Sequence, residues 1–274
     1  MSTYLPSFTA IVLAADREPV NEVAKAAGVR CKSLAPVDGA PMVFRVLEAL
    51  RSSHYVGERI LCGPPGTVMA QEPELRAYVA AGGVRWFENQ ATPSASVHHV
   101  MQQLPEKTPV LLTTGDHALL SPQVVDYFCL HALASACDVV AAVARHEVVT
   151  TACPETRRTS YRFKDGAYCS CNLFAFLTPQ ARAAALFWRQ VENQRKSPLR
   201  VIRAFGWIAV MRYVSGGMTL TGAMDRVSHR LGFKAGVVIL PFPEAAIDVD
   251  SVRDWYVARR IAGEKDIDRL HPFP

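Results

Sequence analysis

The chain has 274 residues, half of them apolar and a fifth charged, with a formal net charge of +5. That apolar fraction excludes intrinsic disorder, and so mild a charge, with no run of five like charges, carries no electrostatic footprint for nucleic acid. A chain this long buries most of its unfolded surface without a staple. Its seven cysteines, an odd number with no positively charged leader and apolar run before them, read as reduced thiols of a cytosolic compartment.

In chain order, the apolar run Phe8 to Ala15 predicts a buried strand. Strands at 59–62, 84–87, 109–114 and 138–143 then alternate with helices at 42–53, 72–81, 95–104 and 122–134. Ser121-Pro122 supplies the N-cap and first-turn proline of the last of these. Strands without a polar face, separated by helices, mean a parallel sheet covered on both sides, so 1–145 predicts a doubly wound α/β unit. Segments 160–164 and 167–177 straddle Asp165-Gly166 as a hairpin added to the sheet. A helix opens at Thr178-Pro179 and runs to about 193, another covers 219–231, a strand covers 234–240, and Ser251 with Asp254 caps a final helix. No Pro/Gly/Ser-rich linker divides the halves. The expectation is one α/β domain over 1–274: a mostly parallel sheet with helices on both faces, a β-hairpin and a helical C-terminal insertion.

Ligands of an open parallel sheet bind beyond the carboxyl ends of its strands. The first strand leaves that edge through Leu13-Ala14-Ala15-Asp16-Arg17, whose small residues leave room for a base or sugar, and the loop beyond carries Arg30 and Lys32. Such cations suit a polyphosphate; a solvated basic loop is the plainer alternative. The glycines of a dinucleotide fingerprint or P-loop are missing. Thr114-Gly115-Asp116 ends a buried strand, and Asp116 there can hold Mg²⁺ through oxygen or cap a turn. Asp248 and Asp250, two apart on an extended segment, point to one side and would face one cation, or serve the dipole of the next helix. The hydroxyl-rich turn 90–97 can read a base or ribose, or simply cap its helix through Ser94. Stretch 198–216 mixes aromatic residues with arginines and is too short to cross a bilayer; it would lie on a membrane surface, cover the core or pair with a second copy.

The order Ile11-Val12-Leu13-Ala14-Ala15-x-Arg17, a loop, Lys32, then Val37-x-Gly39-x-Pro41-Met42 and a helix resembles the MobA-like NTP transferases. That family joins NMP from an NTP to a phosphorylated acceptor. Asp16 stands where its glycine is usual, Ala118 where Gly-Asp-x-Pro has proline, and Cys171 where an acceptor-side Gly-Asn-Leu-Phe has glycine. The resemblance implies a Rossmann-like, glycosyltransferase-A-type nucleotidyltransferase fold, with its nucleotide half near 1–145 and its acceptor half near 146–274. It implies Arg17 and Lys32 as catalytic cations and Leu13, Ala14, Ala15, Asp16, Ser94 and Ser96 as nucleotide contacts. Asn172 would touch the acceptor; Asp116 and Asp250 would hold Mg²⁺, with Asp248 in support.

An acceptor phosphate would then attack the α-phosphate in line and release pyrophosphate. Because that nucleophile is already anionic near neutral pH, positioning and charge neutralisation suffice. Family habit, and no residue, points to CTP. The acceptor would be a phosphorylated small molecule or lipid precursor, and the enzyme cytoplasmic, membrane-peripheral if 198–216 docks on a bilayer, or a homodimer if that stretch pairs. Two rivals stand beside this reading. A nucleotide-sugar glycosyltransferase would carry Asp-x-Asp at the mid-sheet strand end, where this chain has Asp116-His117-Ala118. A non-catalytic nucleotide binder would account for Asp16 and Ala118.

Overall fold

The computed structural model describes residues 7–16, 20–182 and 216–264. Arg17, most of the expected helix to 193 and nearly all of 198–216 therefore lie outside the described residues.

The first half runs β1 (Phe8–Leu13), α1 (Glu22–Ala27), the small hairpin β2 (Pro36–Val37) and β3 (Ala40–Pro41), α2 (Met42–Arg51), β4 (Val56–Cys62), α3 (Gly66–Gln71), α4 (Pro73–Ala81), β5 (Val84–Phe87), α5 (Pro93–Met101), β6 (Val110–Thr114) and α6 (Pro122–Ala134). The second half adds β7 (Val139–Arg145), α7 (His146–Ala152), β8 (Tyr161–Phe163), β9 (Gly166–Phe176), α8 (Leu220–Leu231), β10 (Ala235–Leu240) and α9 (Val252–Ile261). One sheet takes strands from both halves in the order β10-β7-β9-β6-β1-β4-β5, with β8 paired to β9. Its pairs are parallel except those of β9, which runs antiparallel to β6, β7 and β8.

β1 is apolar but for Thr9 because both its faces are covered. Ala10 and Val12 join the cluster holding Val43 and Leu47 of α2 and Phe128 of α6. Ile11, one residue out of phase, joins Val97 and Val100 of α5 on the other side. The expected mostly parallel sheet with helices on both faces is thus present, and α6 keeps the bounds read from its cap and proline. Ser251 and Asp254 close a reciprocal capping box on α9.

Three features depart from expectation. The supposed loop after residue 17 contains α1, capped by Asn21, whose carboxamide oxygen accepts from Val23 and Ala24 N–H, and ended by Gly28 at φ +68. Six residues are too few to show a 3.6-residue period. The helices α3 and α7 are comparably short and were not expected. The hairpin strand β9 sits in the middle of the sheet, wedged between β6 and β7, a placement that no turn signal encodes. Among the described residues no helix is long and apolar enough to cross a membrane.

Candidate active site

β1 and β6 are parallel neighbours with Leu13 paired to Thr114, so the residues that follow both strands emerge together at the carboxyl edge. Gly115 N–H donates to the Leu13 carbonyl at 2.7 Å. A Cβ on Gly115 would lie 3.2 Å from the Cβ atoms of both Ala14 and Ser33. Across the chain from it, a Cβ on Gly63 would press the Ala15 nitrogen at 2.9 Å. Ala14 and Ala15 are therefore threaded between two glycines, which is why their small side chains matter. Gly115→Ala is expected to cost about 1–3 kcal/mol by overpacking, read as a thermal midpoint several degrees lower. It should also displace the turn that bears Lys32.

That turn is a single 3₁₀ turn, Lys32–Leu34. Asp16 accepts the Lys32 backbone N–H with both carboxylate oxygens, at 3.2 and 3.0 Å, and the Ser33 hydroxyl donates to the Ala14 carbonyl at 3.3 Å. Pinned to the end of β1 in this way, Lys32 extends its ammonium between two carboxylates. It is ion-paired with Asp116 Oδ2 and lies 3.4 Å from Asp250 Oδ1. Asp250 arrives on the extended strap before α9, whose Val249 N–H donates to the Asp116 carbonyl at 3.1 Å. The Lys32 and Asp116 side chains are only 18% and 13% exposed, Asp250 69%.

Charge follows burial and pairing. Burial alone would push the Asp116 carboxyl up, but the Lys32 ammonium beside it prevails and holds it below the usual carboxylate range. Burial would equally lower Lys32, yet Asp116 first and Asp250 second raise it above its ordinary value. Asp16 moves the other way: burial raises its carboxyl, the Lys32 N–H bond only partly offsetting it. His117, fully buried beside Asp116, is driven down to about 4 by burial and so is neutral near pH 7, with Nδ1 3.4 Å from the Thr113 hydroxyl.

Whether these residues fit a divalent cation can be judged from their free valence. Asp116 Oδ1 is buried and makes no hydrogen bond. An orphaned carboxylate oxygen beside a second carboxylate, both already turned toward one positive charge, suits a hard cation that completes its shell with phosphate and water oxygens. Among the described residues no group of three or more His, Cys, Asp or Glu stands close enough to hold a metal by itself.

The other expected site residues are placed differently. Asp248 does not share the cation of Asp250. It is buried, paired with Arg158 Nη2, and its second oxygen accepts from Asn172 Nδ2, so both oxygens are engaged away from Lys32. The amide nitrogen of Asn172, expected on an acceptor, is engaged by the same contact. Ser94 and Ser96 are 0% and 2% exposed. Ser96 Oγ accepts the Gln90 N–H at 2.8 Å, Ser94 Oγ lies 3.1 Å from Thr92 Oγ1, and Thr92, not Ser94, is the N-cap of α5. These hydroxyls hold the turn from inside instead of facing the edge. Nothing in the sequence marks Arg158, since an arginine in a coil carries no local signal of its partner.

Three comparisons bear on this geometry. A family model described as "MobA-like NTP transferase domain" matches residues 10–205. A solved structure titled as a hypothetical transferase from Thermus thermophilus is 27% identical, with a TM-score of 0.77 over 91% of this chain and 99% of its own. The 4-diphosphocytidyl-2C-methyl-D-erythritol synthase of Anaerococcus prevotii DSM 20548 shares the fold at 14% identity and TM-score 0.56, over 94% of this chain and 97% of its own. So does a CMP:2-keto-3-deoxy-manno-octonic acid synthetase solved with CTP, at 13% and 0.53, over 93% and 98%. No curated protein sequence matches the chain significantly.

Proposed function

This chain belongs to the MobA-like NTP transferase family, and from that premise we propose that it transfers NMP from an NTP to a phosphorylated small-molecule acceptor, releasing pyrophosphate. The observation that carries the proposal is the convergence of Asp116 and Asp250 on the ammonium of Lys32 at the carboxyl edge. Asp116 and Asp250 would hold Mg²⁺, which when bound supplies charge neutralisation at the reacting phosphates. Lys32, with Arg17 from the preceding loop, would neutralise charge on the departing pyrophosphate. The backbone of Leu13 to Asp16 would line the nucleotide. His117, buried and driven down to about 4, is a weak base, and a nucleophile that is already an anion needs none. We read 1–274 as one domain, since β9 and β10 from the second half complete the sheet begun by the first. CTP is the nucleotide we favour: two fold neighbours carry cytidyl or CMP in their names, one of them solved with CTP.

The glycosyltransferase alternative loses ground here. The Asp-x-Asp at 248–250 is split between two cations, Asp248 pairing with Arg158 and Asp250 with Lys32, and the one at 266–268 lies outside the described residues. A screen of four NTPs against phosphorylated sugars, polyols and cofactor precursors tests the proposal. Pyrophosphate should appear only when nucleotide, acceptor and Mg²⁺ are all present, and fastest with CTP. Hydrolysis of a nucleotide-sugar without any such release would overturn it.

A further inference from the structure

Arg158 stands outside the Lys32 cluster yet takes hold of the strap that feeds it. Its Nη2 pairs with Asp248 Oδ1, and its Nη1 donates to the Asp248 backbone carbonyl at 3.2 Å. On the far side of the same carboxylate, Asn172 donates from Nδ2. Asn172 lies where β9 slips register against β7, and its φ of +47 places it in the left-handed region. The next residue, Val249, is fixed through its own N–H to the Asp116 carbonyl. Carbonyl 248 and amide 249 are thus clamped from two directions immediately before Asp250. Asp250 itself is mostly open to solvent and touches Lys32 at 3.4 Å, so its place at the site depends on this backbone clamp.

A well-packed apolar pair could replace a buried ion pair at little cost in stability. It could not bond a carbonyl and a carboxylate of one residue at once, which the planar guanidinium fork does. We propose that Arg158 is a positioning residue of the site: acting through Asp248, it sets the strap that presents Asp250 to the cation Asp250 shares with Asp116. This rests on the metal pair of the Proposed function.

The test uses the full-length, nucleotide-free protein and Mn²⁺ alone, with free Mn²⁺ read by electron paramagnetic resonance well below the thermal midpoint. Arg158→Met should weaken Mn²⁺ binding about tenfold or more, whereas in an Asp250→Asn background it should change it by less than about twofold, since the two act through one path. Arg158→Lys, which keeps the charge and loses the fork, should fall between. Should Arg158→Met fail to fold, Asn172→Gly removes the other partner of Asp248 at a position whose backbone suits glycine, and it should weaken Mn²⁺ binding in the same coupled way. A lowered midpoint with unchanged Mn²⁺ affinity, or an equal loss in the Asp250→Asn background, would assign Arg158 to stability alone and overturn the inference. Failure of the metal pair is separately visible. If the unaltered chain binds no Mn²⁺, or Asp116→Asn and Asp250→Asn bind it as the unaltered chain does, the pair is wrong and Arg158 has nothing to position.

Discussion

Lys32→Ala should lower pyrophosphate release by about 10²–10³-fold with the chain still folded, the scale seen when one preorganised charge-stabilising donor is removed. The fold survives because Asp16 bonds the backbone N–H of residue 32, which alanine keeps, and Ser33 still ties the turn to Ala14. What changes is the electrostatics of Asp116. In the unaltered chain its carboxyl lies below the ordinary value because Lys32 outweighs burial. That pairing adds stability that is present above about pH 3.9, the unfolded value, and is lost as the pH falls through the lower folded one. Without Lys32 the main opposition to burial is gone, the carboxyl rises, and the sign reverses: a buried charge now costs stability at neutral pH. The gap in thermal midpoint between Lys32→Ala and the unaltered chain should therefore be wide at pH 7 and narrow as the pH falls toward about 4. Turnover that persists at the unaltered rate would remove Lys32 from the chemistry; a gap independent of pH would contradict the pairing.

Asp116→Asn should cost as much or more, about 10³-fold in pyrophosphate release, and abolish its dependence on Mg²⁺ concentration. The substitution is nearly isosteric, and the bond from Val249 N–H reaches the backbone carbonyl of 116, so the strap stays in place. A neutral amide lacks the negative charge that makes a carboxylate the usual protein ligand for Mg²⁺. Its nitrogen, if turned toward Lys32, would also set one donor against another. Pyrophosphate release measured across a Mg²⁺ titration decides the matter: a variant that keeps its Mg²⁺ response would show that Asp116 is not a ligand. The Lys32 and Asp116 variants differ in this readout, because Lys32→Ala should leave both carboxylates able to bind a cation.

Much of this fold was legible locally. The apolar run on β1 is covered on both faces, as a buried strand should be, and Ser121-Pro122 opens α6 as its cap and first-turn proline. The need for Gly115 was likewise legible, since a neighbouring chain passes within van der Waals contact of the strand end there. The partner of Asp248, Arg158, was not legible. Spacing of two says that two side chains leave an extended segment on one side, but says nothing of what stands there to receive each of them.

Composition and periodicity were enough for the class of fold, the alternation of its elements and the edge at which chemistry should gather, because each of those follows from how a few consecutive residues divide between water and core. Which cation each carboxylate meets was settled only by folding. Lys32 is 84 residues from Asp116 and 218 from Asp250, and Arg158 is 90 from Asp248. Contacts over such separations depend on the order in which strands pair, and here on β9 lying between β6 and β7, which no stretch of neighbouring residues encodes.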